Sequence, residues 1–224
     1  MSRRRSPGRA LAIGIAGVVL GIAGCADQPP GGSPAATLSG QPTPGASAAV
    51  AWPAPPDPMG LAQAAGLQPE PKEIFINHVH AHVDVFVDGV PVLVPAGIGI
   101  NVDDPGVRRF DEPDGSVGYG GIELCGAPCI SPLHTHDGTG VIHTESGSME
   151  PNHLGQLFTE WGVTLSASCV GEFCSPTTPI AFYVNGEPFT ADPTTIELAD
   201  RSEIAIVIGT PPAVIPSTYD FSGA

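Results

Sequence analysis

The chain has 224 residues, 8 basic and 23 acidic side chains and a net charge of −15 with histidine neutral. A surface this acidic excludes nucleic acid as a partner and excludes electrostatic adhesion to anionic lipid. It is compatible with attracting cations and with plain solubility.

Residues 1–24 read as an export signal. Arg3, Arg4, Arg5 and Arg9 make a basic start, and an apolar run from Ala10 to Ala23 follows. That run is too short for a comfortable membrane-spanning helix and suits a signal-peptide core. It ends at Ile22-Ala23-Gly24-Cys25, which resembles the lipobox of bacterial lipoproteins. The resemblance implies cleavage before Cys25, lipidation of its sulfur by chains such as palmitate, and anchoring on the extracytoplasmic face of the cell membrane. Cleavage there would leave 4 basic residues against 23 acidic ones, a net charge of −19.

Residues 25–71 are rich in Pro, Gly, Ser and Ala and show no sustained periodicity. Such composition buries too little apolar surface to offset its ordering entropy, so a disordered tether is expected. The globular domain is expected over 72–219, with 220–224 as a tail.

Within that domain, His80 to Val87 alternates as a strand, with His82, Asp84 and Phe86 on one face and Val83, Val85 and Val87 on the other. Asp88-Gly89 signals a hairpin turn to a partner at Val90–Val94. Gly97 to Val102 is apolar enough to extend the sheet, and Val107 to Val117 reads as an acidic loop. Gly140 to Glu145 forms a short strand. Asn152 is the expected N-cap of a helix whose Leu154, Leu157, Phe158 and Trp161 fall on one face, with Gly162 as its stop. Pro179–Val184 and Glu203–Ile208 are further strands, the first followed by an Asn185-Gly186 turn. The element order predicts a single α+β domain: a mixed β-sheet with one packed helix, β-grasp-like in its last segment. A β-sandwich with a helical insertion is the alternative.

Cys125, Cys129, Cys169 and Cys174 are an even set in an exported domain, which favours disulfides. Three pairings are possible, and local pairing, Cys125–Cys129 with Cys169–Cys174, is preferred to cross-pairing. As thiolates, Cys125-x-x-x-Cys129 with a downstream His would resemble the ligand set of copper-delivery proteins of cytochrome-oxidase assembly, a reading ranked below the disulfide.

Six of the seven histidines lie in two runs, His78-Val-His80-Ala-His82 and His134-Thr-His136 through His143-Thr-Glu145. On a strand, residues two apart share a face, so each run presents imidazoles side by side. His134, His136 and His143 suit three corners of a zinc tetrahedron or a flatter copper(II) site. Asp137-Gly138-Thr139-Gly140 reads as a tight turn that folds His143 back beside His136. His80 or His82 would complete the set, and His78 sits at the strand's start as a weaker candidate. Glu145 and Asp137 are candidates for orienting the ligands, and for proton transfer if the site is catalytic. The order of Cys and His and the scarcity of Met argue against blue copper; the germin-type cupin spacing is not matched either.

Pro132 to Glu145, with Leu154-Gly-Gln-Leu-Phe-Thr-Glu-Trp-Gly162, is similar to a family of exported bacterial and archaeal proteins. Its members also carry an early His-x-His-x-Asp strand, here from His80, a Gly-Ile-Gly-Ile segment ending at Ile100, and a Val-Asn-Gly hairpin, here Val184 to Gly186. The family brings no established activity, so the resemblance implies one complete domain and assigns no role to the histidines.

The expected function is that of a lipid-anchored extracytoplasmic protein binding copper(II) or zinc for capture, buffering or transfer. A mononuclear zinc hydrolase or hydratase and a metal-free structural module of the envelope are the alternatives. The partners implied are the membrane, through lipidated Cys25, and the ion; no protein partner is indicated.

Overall fold

The computed structural model describes residues 50–223. The signal segment, Cys25 and the first part of the expected tether lie outside them. Among the described residues no helix is long and apolar enough to cross a membrane.

The elements run α1 (Pro58–Ala64), β1 (Asn77–Val87), β2 (Val90–Val92), β3 (Arg108–Asp111), β4 (Val117–Gly120), β5 (Leu133–His134), β6 (Val141–Ser146), α2 (Leu154–Trp161), β7 (Cys169–Val170), β8 (Phe173–Cys174), β9 (Ile180–Val184), β10 (Glu187–Phe189) and β11 (Glu203–Ile208). One seven-stranded mixed sheet carries the fold in the order β10-β9-β11-β1-β6-β5, with β2 also on β1. The two longest-separated strands, β1 and β11, lie parallel at its centre. Antiparallel partners flank them: β9 beside β11, and β6 then β2 along successive stretches of β1. A first and a last strand paired in parallel, with the connecting helix packed on one face, is a β-grasp-like α+β arrangement. A single main sheet sets the sandwich alternative aside.

The pleat of β1 decides what goes where. Ala81, Val83 and Val85 point into the core, where they meet Ile204, Ile206 and Ile208 of β11 and the apolar face of α2. Leu154, Leu157, Phe158 and Trp161 are all buried there, at roughly 1.5–3 kcal/mol each for the larger side chains. Gly162 ends the helix with φ 71°, the left-handed geometry of a glycine stop. The hairpin turns at Asp88-Gly89 and Asn185-Gly186 hold positive φ at all four residues, which matches the right-handed twist of the strands they join.

Several expectations change. Residues 50–71 do not all belong to a tether. Asp57 caps α1 by accepting from Gly60 N at 3.1 Å, Pro58 fits its first turn, and Ala62 is buried. Trp52 meets Trp161 edge-on at 5.8 Å and its carbonyl accepts the Trp161 Nε1 proton at 2.8 Å. Pro and Ala content conceals this packing because the partner surface lies about a hundred residues downstream. Nor is the segment after 219 a loose tail: Phe221 is buried, with the Arg201 guanidinium 5.9 Å above its ring.

Gly97 to Val102 is not a strand. Gly97 and Gly99 take positive φ and bend it into tight turns, while Ile98 and Thr135 exchange backbone and side-chain hydrogen bonds. Val107 to Val117 is not all loop. It contains β3, paired with β4 across the Asp114-Gly115 turn, and β3 is exposed throughout, so it lacks the apolar alternation that marks a strand in sequence. The N-cap of α2 is His153, whose N–H donates to Gln156 Oε1 at 2.9 Å; Asn152 instead donates to Thr144 Oγ1 at 3.2 Å. Both disulfides are local, Cys125–Cys129 and Cys169–Cys174, which removes the thiolate-ligand reading.

Candidate metal centre

The other face of the sheet carries the histidines. In the β1–β6 ladder His78 stands opposite Glu145 and His80 opposite His143. In the β5–β6 ladder His134 stands opposite His143. Directly opposed residues share a face with Cβ atoms only about 5 Å apart. Three strands therefore deliver five ligand-type side chains to one patch. His136, two residues past His134, joins them: its ring lies 4.4 Å from that of His143, as the Asp137–Gly140 turn predicts.

Four groups converge most closely, His134, His136, His143 and Glu145, with their ligand atoms all within 4.8 Å of one another. His134 Nε2 is 3.2 Å from His136 Nε2. Glu145 lies 3.9 Å from each of these nitrogens and 3.5 Å from His143 Nδ1. Around a zinc ion with bonds of 2.0–2.1 Å, tetrahedral ligand atoms sit ~3.3 Å apart, so the set is nearly closed already.

Hydrogen bonding fixes the tautomers. His134 Nδ1 is 2.9 Å from the Ser131 carbonyl oxygen, and His136 Nδ1 is 2.6 Å from that of Tyr119. A carbonyl only accepts, so both Nδ1 atoms carry hydrogen, and both Nε2 atoms of the neutral rings present lone pairs. At 3.2 Å the two Nε2 atoms must share a positive centre, either a proton carried by His136 or a cation bound between them. The backing carbonyls are the outer partners that orient imidazole ligands in metal sites. His143 Nδ1 and Glu145 Oε2 are buried with no hydrogen-bond partner among the described residues, as expected of atoms whose partner is an ion.

Electrostatics agree. Burial, reinforced by neighbouring His136, holds the His134 pKa well below its ordinary value. Burial likewise lowers His143, and burial with the nearby His143 and His78 rings lowers His80 to about 4. Burial works against ionised Glu145, but the His136 and His143 side chains beside it prevail and lower its pKa. His136 alone of the four shifts upward: burial opposes this, but Glu145 and the Tyr119 carbonyl outweigh it. His134, His143 and Glu145 are thus held deprotonated, the state a cation requires, and an ion would displace the proton that His136 favours.

The remaining sequence candidates separate. His82 does not join the cluster. Its Nδ1 is 2.8 Å from Glu203 Oε2 and its Nε2 is 2.9 Å from the Thr139 carbonyl oxygen, so both ring nitrogens are engaged. Burial opposes its protonation, but Glu203 and that carbonyl raise its pKa, and Tyr219 stacks on its ring at 3.8 Å. Asp137 is used locally, accepting from Thr139 N and Thr139 Oγ1 to shape the turn. His80 stands at the margin, its ring 4.4 Å from that of His143. His78 is not frayed: β1 begins at Asn77, and His78 Nε2 reaches Glu145 Oε1 at 3.4 Å. His153 lies apart, capping α2. Sequence reasoning missed Ser131 and Tyr119, which act through main-chain carbonyls, and Glu203, which takes His82 out of the ligand set.

The cluster opens onto a cleft of ≈ 460 Å³ floored by His136, His143 and Glu145 and walled by Phe110, Tyr119 and Tyr219, with Glu73, Glu112 and Asp220 at its borders. No known protein family, curated protein or solved structure matches the chain. The functional argument therefore stands on this geometry.

Proposed function

We propose that the protein is a lipid-anchored, extracytoplasmic metal-binding protein that holds copper(II) or zinc with His134, His136, His143 and Glu145. Cys25 is the attachment point, and the acidic surface draws cations toward the site. The observation that carries the reading is the convergence of His134, His136, His143 and Glu145, with the Nδ1 atoms of His134 and His136 each held by a backbone carbonyl so that Nε2 faces the cluster. Nitrogen and carboxylate donors without thiolate suit zinc and copper(II) and disfavour copper(I). Capture, buffering or handover of the ion suits a site that borders solvent.

The cleft supports a second reading. Three imidazoles with an open fourth position form a hydrolytic zinc centre, in which the metal acidifies a bound water. Glu145 would then be the proton acceptor rather than a ligand, and a small polar substrate would lie between Phe110 and Tyr219.

The test is metal content and thermal stability of protein purified without chelator or a histidine tag. Near-stoichiometric copper or zinc is expected. Restoring the ion at 100 times its Kd to chelator-stripped protein should add about 2.7 kcal/mol to the folded state. His134→Ala with His136→Ala should abolish both effects. No ion and no stabilisation by either metal would reject both readings.

A further inference from the structure

A second group of imidazoles stands beside the first. His78 and His80 are on the same face of β1, two residues apart, and their Nε2 atoms are 3.0 Å from one another. The ligand atoms of His78, His80 and His143 all lie within 4.8 Å of one another. Glu145 reaches both groups: Oε1 is 3.4 Å from His78 Nε2, 3.5 Å from His143 Nδ1 and 3.9 Å from His136 Nε2, and Oε2 is 3.9 Å from His134 Nε2. A carboxylate with nitrogen donors on both sides is the geometry of a bridging ligand, and paired ions in such centres lie ~3.5–4 Å apart.

We propose that the protein binds two divalent transition-metal ions side by side. The inner one is held by His134, His136 and His143, the outer one by His78 and His80, with Glu145 shared between them. The proposal rests on the metal-binding reading of the inner cluster and extends it.

The two positions differ in ways that assign them different tasks. The His134 side chain is fully buried, whereas 42% of the His78 side chain is exposed. Among the described residues nothing comparable to the Ser131 and Tyr119 carbonyls orients the outer rings. The outer ion also shares its one anionic ligand with a second dication. Each difference weakens outer binding and speeds exchange with solvent. The outer position is therefore a landing site through which an ion enters or leaves the inner one. A nitrogen-rich donor set with one carboxylate selects zinc, copper(II) or cobalt(II) over calcium and magnesium, which prefer oxygen. The competing account of the 3.0 Å contact is an ordinary hydrogen bond between two neutral imidazoles. That bond is open to His78 and His80 because no carbonyl among the described residues fixes their tautomers, and it is the alternative the experiment must separate.

The experiment uses full-length protein in detergent, stripped with chelator, dialysed and titrated with zinc alone by calorimetry. Bound zinc is then counted by elemental analysis. Two ions per chain are expected, in two steps separated by at least ~10-fold in Kd. In His78→Gln/His80→Gln the weaker step should vanish, leaving one tightly bound ion. One ion in the unaltered protein overturns the outer site and leaves the inner reading standing. Two ions retained by the double variant overturn the assignment to His78 and His80. No ion in the unaltered protein overturns both readings. Because the unaltered protein's stoichiometry decides by itself, a variant that fails to fold does not rescue the proposal.

Discussion

Glu160 on α2 gives the most exacting test of the packing. It is 0% exposed, and neither carboxylate oxygen has a hydrogen-bond partner among the described residues. Burial pushes the Glu160 carboxyl up to about 8, outweighing the Ser131 hydroxyl, which favours ionisation. In the unfolded chain the same group titrates near 4.5. The folded state therefore binds a proton that the unfolded state has lost, and stability must fall as pH rises between those values. The slope is about 1.36 kcal/mol per pH unit for one group. From pH 5 to pH 7.5 the wild type should lose roughly 3 kcal/mol relative to Glu160→Gln, which cannot ionise. For a domain of this size that is a relative drop in Tm of ~6–12 °C. Thermal melts of both proteins across pH 5 to 9, in chelator so that metal linkage is absent, measure the difference directly. Histidine titration is common to both proteins and cancels. Parallel curves for the two proteins would refute the claim that this carboxyl is buried without a partner.

Two further outcomes follow from the packing. His82→Ala should leave metal stoichiometry unchanged but cost about 3–5 kcal/mol, because it strands buried Glu203 without its partner; loss of bound metal with an unaltered Tm would place His82 among the ligands instead. A chain truncated to begin at residue 72 removes Trp52, whose carbonyl accepts from Trp161, together with α1. Stranding that indole alone costs about 1–3 kcal/mol, so the truncated chain should melt clearly lower, and an unchanged Tm would restore the view of residues 50–71 as a mere tether.

What sequence disclosed follows physical range. The alternation of β1, the Asp-Gly and Asn-Gly turns and the apolar face of α2 are encoded within a few residues, and each stands where periodicity put it. So do His134, His136 and His143 beside Glu145, because a ladder and a tight turn bring neighbours in sequence together. His82 was indistinguishable from His80 in the alternation. What separates them is Glu203, 121 residues away in sequence, placed by the parallel pairing of β1 with β11 that no local pattern announces. The carbonyls of Ser131 and Tyr119 leave no mark in the residue types, since any residue supplies one. α1 was hidden in a Pro-rich stretch because its packing partner, α2, lies far downstream in sequence, and β3 because an exposed strand has no need to alternate.

The pleat of β1 has one more consequence. Ala81, Val83 and Val85 face the hydrophobic interior while His78 and His80 face the histidine cluster and His82 turns to Glu203, so one strand serves unlike neighbourhoods. If the cluster holds an ion as proposed, exchanging His80 for cysteine or aspartate would change which ion it prefers without altering an interior side chain. Selectivity in this scaffold is thereby free to drift, or to be redesigned, while the architecture beneath it stays the same.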